Sequence, residues 1–314
     1  MAKYIQHDEQ RDGIDRRGFL KCMAWAGTGL VWTATAGGLL TSCALPEVAS
    51  TPKVEGFTFV QVSDSHVGFS AEGVNTDVTK TLEQVVARIN ALPQPPALVL
   101  HTGDLSHLSK PSEFDTVQQI MGTIKTSGIF YVPGEHDVIG DNGAGFRQRF
   151  SAKSRNTDWY SMDFKGVHFI GLSNIGSETE FGVLGTDQLT WLAKDLQSVN
   201  HDTPVVVFAH VPLYAVYPPW GWTTKDSTQA MDLLKLFSSV TVLNGHIHQV
   251  LSQVEGNIRF HVASSTAFPQ HHPGEGQPGA YQLPADELLR TLGYRTVSVV
   301  PGNRELAVVD TTLA

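Results

Sequence analysis

Short runs rich in β-branched and aromatic residues punctuate this chain, and polar residues follow each one within three positions. The runs cover residues 57–62, 97–100, 129–132, 205–208 and 240–243. Apolar stretches this short, bounded by Gly or Asp, predict strands buried on both faces. Between them the apolar period lengthens to that of a helix. Residues 76–92 carry Val78, Leu82, Val85, Val86 and Ile89 at helical spacing until Pro93 stops the run. Residues 112–126 do the same with Phe114, Val117, Ile120, Met121 and Ile124. A third helix opens at Thr186-Asp187-Gln188, and a fourth is expected over 227–237. A hairpin fits 159–172, turning at Lys165-Gly166. Late strands are expected at 250–254, 258–263, 294–300 and 304–310, with Pro301-Gly302-Asn303 as the last turn.

Strands alternating with helices predict an α/β fold. No internal repeat or low-complexity tract interrupts it. Residues 57–314 suit one large domain with a substantial core. Residues 44–56 read as a linker, and residues 1–43 read differently again.

Asp15-Arg16-Arg17-Gly18-Phe19-Leu20-Lys21 resembles the twin-arginine export signal of bacteria, with Asp15 where Ser or Thr is usual. Residues 22–42 are uncharged and only moderately apolar, which suits such a signal. An uncleaved membrane helix is the competing reading of the same length, but Gly and Thr dilute the segment. Leu40-Thr41-Ser42-Cys43 resembles a lipoprotein cleavage box, with ordinary cleavage nearby as the alternative. The expectation is a protein exported to the periplasm or cell envelope, with the twin-arginine translocation machinery as a partner and Cys43 as a candidate lipid attachment point. A cut there leaves a domain without unmodified cysteine and hence without a disulfide. Removing residues 1–43 takes away five Lys/Arg and four Asp/Glu, and the net charge goes from −9 to −10. An acidic domain argues against nucleic acid as a stable partner and favours a small phosphorylated substrate.

The polar residues after the apolar runs supply the chemistry. They are Asp64-Ser65-His66, Gly103-Asp104, Gly134-Glu135-His136-Asp137, His210 and Gly245-His246-Ile247-His248. Carboxylates and imidazoles bind divalent first-row metals, and two such ions can clamp a phosphate while generating a nucleophile from water. In extended chain, Asp64 and His66 point to one side, as do His246 and His248. Taken in order, the set resembles the calcineurin-like metallophosphoesterases over nearly all of residues 57–270. The resemblance implies a sandwich of two mixed β-sheets flanked by helices, with the site at the carboxyl ends of the strands. It implies that Asp64, His66, Asp104 and His248 hold one metal, and that Glu135, His210, His246 and a bridging Asp104 hold the other. It further implies a bridging hydroxide as nucleophile, His136 as general acid and Asp137 as the residue orienting it. The same ligand types accept Fe, Mn, Zn or Co, as two divalent ions or a mixed-valence pair.

One position departs from the family pattern, which usually has Asn where Glu135 stands. The extra negative charge favours monoanionic diesters, or a more highly charged metal; a Glu135 that leaves the metal is the alternative. Purple acid phosphatases, a related branch, supply a Tyr ligand where this chain has His107, which argues against a tyrosinate site; His107 reads as a hydrogen-bonded loop histidine, with a place near the metals as the alternative. His101, His168 and His261 read as packed, hydrogen-bonded histidines, and His271-His272 as part of a solvated loop, with contact to substrate as the alternative. Pro218-Pro219-Trp220-Gly221-Trp222 could form a lid or stacking platform, or pin a long loop to the core. The expected activity is hydrolysis of phosphate diesters or monoesters. A non-catalytic binding module on the same fold and an envelope pyrophosphate or lipid phosphohydrolase are the competing readings.

Overall fold

The computed structural model describes residues 53–151, 157–177 and 180–314. The twin-arginine-type segment, Cys43 and residues 44–52 of the linker lie outside the described residues. In chain order the strands are β1 (Phe57–Val62), β2 (Val99–His101), β3 (Ile129–Tyr131), β4 (Tyr160–Phe164), β5 (Val167–Gly171), β6 (Ile175–Ser177), β7 (Glu180–Phe181), β8 (Val205–Ala209), β9 (Val240–Asn244), β10 (Leu251–Glu255), β11 (Ile258–Val262), β12 (Gly293–Val299) and β13 (Ala307–Thr312). They form a five-stranded sheet ordered β13-β12-β1-β2-β3 and a six-stranded sheet ordered β10-β11-β9-β8-β5-β4, with β6 and β7 as a separate ribbon. Strands β1, β2 and β3 run parallel, as do β5, β8, β9 and β11. Strands β12, β13, β10 and β4 join antiparallel, so both sheets are mixed.

Side chains alternate across each strand, and here both faces are covered. Phe59 and Leu100 of one sheet meet Phe169, Val206, Phe208 and Leu243 of the other in a shared core. On its opposite face β1 turns Val60 and Val62 toward Leu82 and Val85 of helix α1 (Val78–Asn90) and Phe114 of helix α2 (Pro111–Met121). Strand β8 likewise turns Val205 and Val207 toward Leu189 and Leu192 of the helix Thr186–Leu196. Burying each such side chain stabilises the fold by about 1.5–3 kcal/mol, which explains runs with no polar face. The α/β sandwich flanked by helices expected from the sequence is the observed fold.

Local chemistry sets the helix boundaries. Asp77 caps α1 by accepting from Lys80 N at 3.0 Å. Pro111 starts α2, and Glu113 accepts from Lys110 N at 3.3 Å. The apolar period overran the ends of three helices, the first by two residues at Asn90. Helix α2 stops at Met121 rather than 126, and the helix from Ser227 stops at Leu234 rather than 237. Ile124 and Phe237 lie in turns just beyond, yet both are buried, so they kept the pattern alive. Strand β13 begins three residues later than expected. Its register is set where Gly293 faces Thr312, because a Cβ on Gly293 would lie 2.0 Å from Thr311 O. The short helices Ala144–Phe150 and Ala285–Thr291 and the β6–β7 ribbon were not expected at all. At the β4–β5 hairpin the predicted turn is present, with Lys165 at φ 49° and Gly166 at φ 81°.

Candidate metal centre

The carboxyl ends of β1, β2, β3, β8 and β9 bring their loops together across the two sheets. Asp64 N donates to Gly103 O at 3.0 Å and His66 N to Asp104 O at 2.9 Å, which ties the first two loops side by side. All seven expected ligands converge: Asp64, His66 and His248 form one group, and Glu135, His210 and His246 the other. The strand-end layout expected for the ligands is present, but the alternation expected to align the pairs Asp64/His66 and His246/His248 is not. Asp64 and His66 do not lie in extended chain; they have φ of 54° and 40°, and His246 and His248 have 70° and 58°. Asp104 joins them at 53°. Left-handed backbone costs a non-glycine residue roughly 1–2 kcal/mol, so strain is concentrated where the ligands meet.

Asp104 sits between the groups. Its Oδ2 lies 3.4 Å from His66 Nε2 and 3.4 Å from His210 Nε2. In the first group His66 Nε2 is 3.2 Å from His248 Nε2, which is 3.3 Å from Asp64 Oδ1. In the second, Glu135 Oε2 is 2.8 Å from His210 Nε2 and Oε1 is 2.8 Å from His246 Nδ1. Two atoms bound about 2.1 Å from one cation at tetrahedral or octahedral angles lie about 3.0–3.4 Å apart, so the 3.2–3.4 Å spacings fit metal ligands, and the 2.8 Å contacts of Glu135 are slightly tighter than that. Glu135 therefore stays with the second group.

A second observation supports the fit. Among the described residues, Glu135 Oε2, His210 Nε2 and both ring nitrogens of His246 are buried without a hydrogen-bond partner. Close approach without hydrogen-bond geometry is costly unless a cation satisfies the atoms. The imidazoles are also turned the right way. His210 Nδ1 donates to Thr102 O at 2.7 Å and His248 Nδ1 to Phe268 O at 2.6 Å, which leaves each Nε2 lone pair facing the site. Gly134 permits the packing, since a Cβ there would lie 2.1 Å from Asp104 Oδ1.

The electrostatics are those of a buried charge cluster. Burial opposes the Asp64 carboxylate, yet the His248 and His210 imidazoles and a Ser63 hydrogen bond bring its pKa down to about 2. Burial is likewise outweighed at Glu135, where His246 and His210 hold the carboxyl well below its usual range. The same pairing overcomes burial at His210 and raises it, through Asp104 and Glu135. His66 is lowered by burial and by His136. At His136 burial is outweighed by Asp104 and Glu135, and its pKa rises; cations bound to those carboxylates would cancel much of that rise.

One expected role is corrected. Asp137 does not orient the His136 ring; its carboxylate accepts from Leu105 N, Ser106 N, Ser106 Oγ and Gly134 N at 2.8–3.0 Å. It locks the Gly134 turn to the Asp104 loop. The His136 ring is held instead by His107, whose carbonyl accepts from His136 Nδ1 at 2.7 Å. A backbone acceptor leaves no mark on residue type, and the sequence reading missed it. His101 is packed as expected, with Ser65 Oγ 2.8 Å from its Nε2 and burial pushing its pKa down to about 3. His168 lies between Asp163 and Asp195, and His261 beside Ser252. Of the two readings of the Trp220–Trp222 loop, pinning is what is found. Trp222 is buried against Ile247 and Val262, and Trp220 packs edge-on to it at 4.7 Å.

The calcineurin-like phosphoesterase family profile matches residues 57–250. The chain belongs to that family. It is an enzyme of the phosphoric ester hydrolase class, and the relatives of this phosphoesterase carry diesterase names. It is 28% identical over 233 residues to a protein of Arcobacter nitrofigilis named as a probable glycerophosphodiester phosphodiesterase, covering 68% of this chain and 78% of that one. It is 24% identical over 222 residues to a 3',5'-cyclic-nucleotide phosphodiesterase of Nostoc, covering 67% and 79%. In fold, the phosphoesterase resembles a dimetal phosphatase from Danio rerio (TM-score 0.59, 15% identity, 82% and 99% covered). It also resembles a purple acid phosphatase from yellow lupin (TM-score 0.59, 16% identity), spanning about half of that longer chain, 52%, with 83% of its own.

Proposed function

We propose that this phosphoesterase hydrolyses small phosphate diesters, and monoesters less well, at a dinuclear cation centre. The observation that carries the reading is the position of Asp104 Oδ2, 3.4 Å from one imidazole of each ligand group. Asp64, His66 and His248 would hold one cation, Glu135, His210 and His246 the other, and Asp104 would bridge. Cations on these ligands would supply Lewis-acid polarisation of a phosphoryl oxygen and a water of lowered pKa. The chain's own residues do the rest. Asp104 fixes the spacing of the two ligand groups, and its other oxygen accepts from His136 N at 2.9 Å, which couples the bridge to the acid. His136 commits Nδ1 to the His107 carbonyl, so Nε2 is the atom that holds a proton for the leaving oxygen. The preference for diesters rests on the third carboxylate, Glu135, and on the names of the relatives. The test is metal content measured on active protein together with a panel of diesters and monoesters. Two equivalents of metal and faster diester turnover support the proposal; activity that survives complete chelation rejects it.

Export by the twin-arginine route, with residues 1–43 as signal, 44–56 as linker and Cys43 as a lipid attachment point, is the cellular part of the same proposal. Replacing Arg16 and Arg17 by Lys should leave the protein in the cytoplasm. Unchanged export would remove that part alone.

A further inference from the structure

We propose that the His107 side chain is a positioning residue for the candidate ligand His66, accepting the proton that His66 carries on Nδ1. The inference rests on the dinuclear reading above and concerns what holds one of its ligands.

His66 turns Nε2 toward Asp104 Oδ2 (3.4 Å) and His248 Nε2 (3.2 Å). A ring nitrogen that binds a cation carries no proton, so a neutral His66 keeps its proton on Nδ1. The partner of that nitrogen is His107 Nδ1, 3.4 Å away. His210 and His248 meet the same need with backbone carbonyls, Thr102 O and Phe268 O. His66 differs because it leans on a side chain, and side chains can be replaced.

His107 is held in place independently of His66. Its N–H donates to Val67 O at 2.9 Å, and the next residue, Leu108, donates its N–H to Glu113 Oε2 at 2.8 Å. The ring stacks on His136 with centroids 4.8 Å apart and planes 17° apart, and it meets Phe69 edge-on at 5.1 Å. A ring fixed from several sides presents a lone pair at one spot, which is what a tautomer-setting acceptor requires. His107 thus touches both halves of the chemistry: its carbonyl holds His136 and its ring holds His66.

Asn and Leu separate acceptor from bulk, because Asn can put an oxygen where His107 Nδ1 lies and Leu cannot. Cation affinities of wild type, His107→Asn and His107→Leu are measured by competition with a chromogenic chelator, with thermal unfolding as a check on folding. The expected result is a loss of about 10- to 100-fold for one of two cations in the Leu variant, with the Asn variant within about threefold of wild type. Equal affinities in all three, or equal losses in Asn and Leu, overturn the inference and leave the dinuclear reading standing. Wild-type protein that takes up no cation overturns that reading and the inference with it. If the Leu variant does not fold, ¹⁵N NMR of histidine-labelled, cation-loaded wild type decides. A proton on His66 Nδ1 and none on His107 Nδ1 supports the inference, and the reverse overturns it.

Discussion

Replacing Glu135 by Asn would remove one negative charge from the second ligand group and keep an oxygen that can face a cation. Two divalent cations and three carboxylates leave roughly +1 at the site, and the variant leaves roughly +2. A monoester dianion carries one more negative charge than a diester, so it gains more from the change. Across about 5 Å at an effective dielectric of 20, that extra attraction is about 3 kcal/mol. The Glu135 side chain is 19% exposed, so water reduces this to about 1–2 kcal/mol, or about 5- to 30-fold in rate. The assay is kcat/KM for p-nitrophenyl phosphate and bis(p-nitrophenyl) phosphate at saturating metal. The ratio of the two matters, because any loss of metal affinity shared by both reactions cancels in it. The monoester-to-diester ratio should rise by that factor in Glu135→Asn. A ratio that stays level or falls would refute the electrostatic reasoning.

Gly134→Ala should abolish most activity with the protein still folded, since the new Cβ would lie 2.1 Å from Asp104 Oδ1; full turnover with an unchanged melting curve would contradict the packing. His136→Ala should lower kcat about 10²- to 10⁴-fold on diesters with alkyl leaving groups and far less on nitrophenyl esters, which need little protonation; equal losses on both would reassign the acid. His168 gives a pH prediction away from the metals. Burial lowers its pKa, but hydrogen bonds and charge from Asp195 and Asp163 outweigh this and raise it above 6.5. A raised pKa means stability fully present below about pH 6.5 and lost as pH climbs through the folded value. The urea-unfolding gap between wild type and His168→Gln should therefore be widest in mild acid and narrow as pH rises, and a gap that widens with pH would contradict the assignment.

What could be read from residue order, and what could not, follows from where the information sits. Ligands such as Asp64, His210 and His248 are legible because only a few side chains bind metals and each follows a buried strand. The two-faced strands are legible because both sheets are covered, so β8 carries no polar residue and β9 is buried along its whole length. The acceptors Thr102 O, Phe268 O and His107 O are backbone atoms and leave no trace in residue type. Asp137 misled because a carboxylate next to a catalytic imidazole suggests a dyad, whereas four donors from neighbouring loops had already claimed it. The ligand pairs were expected to share a side by strand alternation; the turn beyond β1 achieves this through left-handed backbone instead. Ile124 and Phe237 show why helix ends were overrun, since burial continues after the helical hydrogen bonds stop.

Anomalous diffraction from crystals loaded with manganese or zinc tests the centre most directly. Two peaks should flank Asp104 Oδ2, one against Asp64, His66 and His248 and the other against Glu135, His210 and His246. A lone peak, or peaks away from Asp104, in crystals of active protein would contradict the account.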